Sequence, residues 1–145
     1  VNRSVRSSQL DYEVPEGWQE GEAGGMREAE FKVGPPDASA EVTVIEAGGD
    51  LRSNVARWMG QVADGRPEES EVDEMMASAE EFEVSGRTAQ RFVISGDAEK
   101  EQESIDATIV KMDNGMSKFI KMKGAAKTVA EQSDSMRTFL ESLTF

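Results

Sequence analysis

Asp50-Leu-Arg-Ser-Asn54-Val-Ala-Arg57-Trp58-Met-Gly-Gln61-Val-Ala63 is the stretch whose period decides the architecture. Leu51, Val55, Trp58, Met59 and Val62 recur at helical spacing and form one apolar stripe. Asp50 follows two glycines and predicts the N-cap, because its carboxylate can accept from the free amides of the first turn. Asn54, Arg57 and Gln61 run along one edge of the stripe, beside Trp58. Such a helix needs an apolar surface to lie on, and the rest of the chain supplies mostly strands.

Upstream, residues 1–9 are polar and basic and are expected to be a linker or tail, with one α+β domain over 10–145. Leu10 to Val14, Met26 to Val33 and Ala40 to Glu46 predict three strands, separated by Pro15-Glu-Gly17 and Gly34-Pro-Pro-Asp37. Val42 and Val44 point one way and Ile45 the other. Downstream, Asp64-Gly65 stops the first helix, and Glu68 and Glu69 after Pro67 suit the start of a second. Glu81 to Val84 and Arg87 to Ser95 predict a hairpin around Ser85-Gly86. Ser104 to Met112 and Met116 to Lys123 predict another around Asp113-Asn114-Gly115, where Asn-Gly accepts positive φ. Thr128 to Leu143 predicts one last helix, with Met136, Phe139, Leu140 and Leu143 on a single face.

The sum is an α+β fold with a mainly antiparallel sheet of six to seven strands and three helices. Strands at 41–45 and 119–122 carry apolar residues on both sides, which favours helices on both faces of the sheet, α/β/α.

Composition narrows the function. The 145 residues hold neither cysteine nor histidine, which removes thiol nucleophiles, disulfides and the commonest metal ligand and acid–base group. Neither a cofactor nor a metal is expected. The net charge of −13 is uneven: residues 64–106 carry 14 acids and 4 bases, residues 107–145 only 4 acids and 6 bases. Such a field repels phosphate backbones, so nucleic acid is not an expected partner; an unknown protein or a small polar ligand is. No run approaches the roughly 20 apolar residues of a membrane helix. The polar amino-terminal linker and the acidic surface suit an extracytoplasmic location, and a start at Val1 without methionine is compatible with removal of an upstream export signal or lipid anchor.

Pro15-Glu-Gly-Trp18, Asn54-x-x-Arg57-Trp58-x-x-Gln61, Phe119-Ile-Lys121-Met-x-Gly124 and the terminal Phe139-Leu-x-Ser142-Leu-x-Phe145 resemble a bacterial family of envelope-linked, planctomycete-type proteins. Its fold is similar to that of PsbP, the extrinsic lumenal subunit of photosystem II, and of the yeast Ran-binding protein grouped with it. The resemblance spans about Leu10 to Phe145 and implies an antiparallel sheet covered by helices on both faces. It implies no activity, and ligation of metal through histidine does not transfer.

Asn54, Arg57, Trp58, Gln61 and Lys121 are the candidate ligand-binding residues. A guanidinium and two amides suit a carboxylate or carbohydrate-like group, Trp58 offers an apolar wall, and Lys121 approaches from the sheet. The competing expectation is structural: Asn54 and Gln61 tie down backbone beside a buried Trp58, and Arg57 pairs with an acid. No catalytic residue is nominated. Carboxylates such as Glu80, Glu81, Glu83 and those from Asp97 to Glu103 could pair as in a hydrolase, but 29 acids make neighbours by chance. Asp97 to Glu103 lacks the spacing of a calcium loop. The expected function is therefore a non-catalytic binding or interaction module of the bacterial envelope. A carboxylate-based hydrolase and a scaffold subunit without a ligand are the alternatives.

Overall fold

The structure, a computed structural model, describes residues 3–6, 10–22 and 24–145. The first strands are β1 (Arg3–Arg6), β2 (Asp11–Val14), β3 (Gln19–Glu20), β4 (Arg27–Val33) and β5 (Ala40–Ala47). Helices α1 (Leu51–Ala63) and α2 (Glu69–Ala77) follow, then β6 (Glu80–Val84), β7 (Arg87–Ile94), β8 (Glu103–Lys111) and β9 (Ser117–Ala125). The chain closes with α3 (Ala126–Glu131) and α4 (Ser133–Ser142).

Seven strands form one sheet in the order β3-β4-β5-β9-β8-β7-β6, with every pair antiparallel. β1 and β2 form a separate hairpin. Arg3–Arg6, read from the sequence as part of a polar tail, are thus a strand, paired from Arg3 opposite Val14 to Arg6 opposite Asp11. Residues 1, 2 and 7–9 of that expected tail lie outside the described residues.

Local chemistry accounts for most element ends. Asp50 accepts from the Ser53 amide at 2.9 Å and caps α1, and Asp64 ends the helix in the left-handed region. Glu68 and Glu71 form a reciprocal capping box at the start of α2. Ser85 and Gly86 both take positive φ, as a tight hairpin turn of two residues requires. In the 113–115 turn only Gly115 does so; Asn114 contributes through its side chain, whose Oδ1 accepts from the Met116 amide at 3.0 Å.

Helices cover both faces. On one side α3 and α4 pack with Trp18, Phe31, Val42, Val44, Ile120 and Met122. On the other, Val55, Trp58 and Val62 of α1 pack on Phe92, Ile94, Ile105, Ala107, Ile109 and Phe119. Alternation along β9 puts Phe119 under Trp58, with ring centroids 6.0 Å apart, and turns Ile120 to the opposite core. Ile120, one strand position on, therefore has no place beside Trp58. The last helix also differs from expectation: it breaks at Gln132 into α3 and α4. Among the described residues no helix is long and apolar enough to cross a membrane.

The two faces are covered unequally. The α3/α4 core extends across β4 and β5, whereas the buried α1 core draws on β7, β8 and β9. On the α1 side the β4–β5 half of the sheet therefore presents Glu30, Lys32, Glu41 and Thr43 rather than an apolar floor.

Candidate functional site

Beside α1, on that uncovered half, lies a hollow of about 440 Å³ lined by Arg27, Lys32, Thr43, Glu41, Lys121 and Lys123, with Ser39, Ala40 and Glu103 at its margin. The size suits a small ligand. Strand register builds its floor. Lys32, Glu41 and Lys123 form one row across β4, β5 and β9, and Glu30, Thr43 and Lys121 form the next.

Lys121 is the central group. It is half-buried, and its Nζ lies over the Trp58 ring, 5.9 Å from the centroid. Burial pushes its pKa down, and the charges of Lys123, Arg57 and Arg27 push it further; Glu41 acts in the opposite sense. Among the described residues no carboxylate lies within ion-pair distance of Lys121, Lys32 or Arg57. The acids at the hollow are already engaged. Arg27 pairs with Glu30 and with Glu41, the latter at 3.3 Å, and Lys123 stands 4.0 Å from Glu103.

The five residues nominated from sequence meet different fates. Trp58 is 1% exposed and belongs to the core; it supports Lys121 from behind rather than forming an open wall. Asn54 is also buried, and its Nδ2 donates to the Asp50 carbonyl at 3.0 Å, which holds the first turn of α1. Arg57 and Gln61 are exposed, and Gln61 makes no side-chain hydrogen bond among the described residues. Arg57 also borders a second hollow toward Arg66 and Pro67. Of the five, Lys121 lines the hollow and Trp58 lies beneath it, while Arg57 reaches it only through its charge on Lys121.

Arg27, Lys32, Thr43 and Lys123 were not nominated. Lys121 and Lys123 share a strand face by simple alternation, a signal present in the sequence. The approach of Arg27 and Lys32 depends on the order β4-β5-β9, which brings together residues about 90 positions apart.

Chemically, an arrangement of this kind can hold and orient negative charge. Ser39 and Thr43 offer hydroxyls with no histidine in the chain to activate them. Among the described residues no three acidic, histidine or cysteine side chains are grouped to hold a metal ion.

No protein-family model matches this chain, and no curated protein sequence matches it. Solved structures do. LpqN of Mycobacterium tuberculosis, a protein involved in cell envelope biogenesis, aligns with a TM-score of 0.59 at 11% identity, over 99% of this chain and 90% of its own. Cyanobacterial PsbP from Synechocystis aligns at 0.55 with 13% identity, over 98% of this chain and 91% of its own. The chain has the PsbP-like fold. The Ran-binding protein Mog1p of Saccharomyces cerevisiae aligns at 0.45 with 13% identity, over 94% and 84%, too distant a likeness to argue from. At these identities the PsbP-like proteins share a fold with this chain, and no residue's role passes between them.

Proposed function

We propose that this chain is a non-catalytic binding module of the bacterial cell envelope, with its ligand seated in the hollow beside α1. The observation that carries the reading is Lys121. It is half-buried, the charges of Lys123, Arg57 and Arg27 act against its own, and among the described residues no carboxylate lies at ion-pair distance from it. Gathering like charges in a chain of net charge −13 opposes folding, and a bound ligand with complementary charge offsets that cost.

Holding, rather than transforming, fits the groups present. The acids at the hollow are paired with cations, and the chain has no cysteine or histidine. The envelope location rests on the likeness to planctomycete-type envelope proteins and on sharing a fold with LpqN. The sequence upstream of Val1 tests it. A signal segment there supports export, and an initiator methionine immediately before Val1 counts against it.

The binding reading is tested by thermal unfolding against a metabolite and glycan screen, using the wild type, Lys121→Met and Arg57→Ala. A hit should raise the melting temperature of the wild type and lose that effect in Lys121→Met. Turnover of a hydrolase substrate that one acidic substitution abolishes would favour the hydrolase instead. A stable protein partner with no small-molecule hit would favour the scaffold subunit.

A further inference from the structure

Building on the binding-module reading, we infer that the hollow beside α1 takes a small anion carrying two or three negative groups. Four cations line it, Arg27, Lys32, Lys121 and Lys123, and the charge of Arg57 on α1 also acts on Lys121. Glu30 and Glu41 engage Arg27, and Glu103 stands against Lys123. Of the lining cations, Lys32 and Lys121 have no ion-pair partner among the described residues. Two cations without counter-charge, and Lys123 held only at 4.0 Å from its acid, match a di- or trianion, not a monoanion.

Spacing supports the same count. Lys121 and Lys123 lie on one face two residues apart, which separates their rows by about 6.6 Å, while neighbours within a row sit about 4.8 Å apart. One anionic group fits at Lys121, and a second fits over the Lys32–Lys123 row. Thr43 and Ser39 add hydroxyl donors at the floor and margin. A long polyanion is disfavoured, because it would run beyond the hollow onto a strongly acidic molecule.

Calorimetric titration at low and physiological salt tests the assignment, with citrate, acetate, cellobiose and polyglutamate as probes. Citrate should bind at least tenfold more tightly than acetate, and more weakly as salt rises. Lys121→Met and Lys32→Ala should each weaken citrate at least tenfold, and Glu41→Gln should tighten it. Lys111→Ala, on an exposed lysine outside the hollow, should change nothing. Citrate no tighter than acetate, or unaffected by Lys121→Met, would overturn the anion assignment. So would a Lys121-dependent response to cellobiose with silence from citrate, which leaves the module reading standing. Polyglutamate tighter than citrate would overturn the commitment to a small ligand. Silence from these probes and from the wider thermal screen would overturn the module reading as well.

Discussion

Trp18 Nε1 donates to Gln132 Oε1 at 2.9 Å, joining the loop after β2 to the break between α3 and α4. The Trp18 ring itself packs among Phe31 and Phe139. Gln132→Leu leaves the indole N–H buried without an acceptor and should cost about 1–3 kcal/mol. Gln132→Glu keeps an acceptor and should cost less. Urea unfolding of both variants measures the difference.

That contact also explains what could be read from the sequence and what could not. Helix α1 was legible because its stripe follows the helical period, and the 80–94 hairpin because Ser85-Gly86 supplies the turn. Helices on both faces were legible from the two-sided apolar character of β5 and β9. The break at Gln132 was not, because residues 128–143 keep a helical period throughout and Trp18 is 114 positions away. The site divides in the same way. Lys121 could be suspected from the sequence, but the gathering of Arg27 and Lys32 around it depends on strand order and register.

Arg91 and Asp106 form a two-point ion pair beneath α4, Nε to Oδ1 at 2.9 Å and Nη2 to Oδ2 at 2.6 Å. Arg91 Nη2 also donates to the Ser133 carbonyl at 3.1 Å, so the pair anchors the first turn of α4. Both side chains are buried. Arg91→Met or Asp106→Leu strands a buried charge and should cost about 3–5 kcal/mol. The double variant should cost less than either single one, as a double-mutant cycle in denaturant will show.

Trp58→Ala should cost about 3–5 kcal/mol, since it empties the centre of the α1 core. Its Nε1 is buried with no hydrogen-bond partner. Trp58→Phe removes that unpaired donor and should cost far less. Calorimetric unfolding separates the two variants; a fully stable Trp58→Ala protein would contradict the packing of this face.

Gly124 of β9 stands opposite Ala40 of β5. A Cβ there would stand 2.4 Å from the Ala40 Cα and 2.5 Å from the Ser39 carbonyl oxygen. The obstacle is backbone, so it cannot rotate aside. Gly124→Ala should destabilise by about 1–3 kcal/mol or more through overpacking, read from the shift of the urea midpoint.

Lys121→Met should make the unliganded protein more stable at neutral pH, by about 0.5–2 kcal/mol. Burial, followed by Lys123, Arg57 and Arg27, lowers the pKa of Lys121 from its ordinary value of 10.5. In the window between the lowered folded value and the ordinary one, the unfolded chain binds more protons. Stability contributed by this group therefore rises with pH through that window, and below it the charged lysine is a constant cost. The variant should lose this alkaline rise, measured as unfolding free energy against pH.

The proposed ligand seat is the sheet surface beside α1. Amide and indole NMR during a citrate titration tests it most directly. The largest shifts should fall on Thr43, Lys121, Lys123 and the Trp58 indole N–H. A separate hollow of about 540 Å³ near the start of α1, lined in part by Thr88, Gln90 and Lys111, should stay unchanged. Shifts centred on Thr88, Gln90 and Lys111, or scattered over the surface with none at Lys121, would overturn this placement of the ligand.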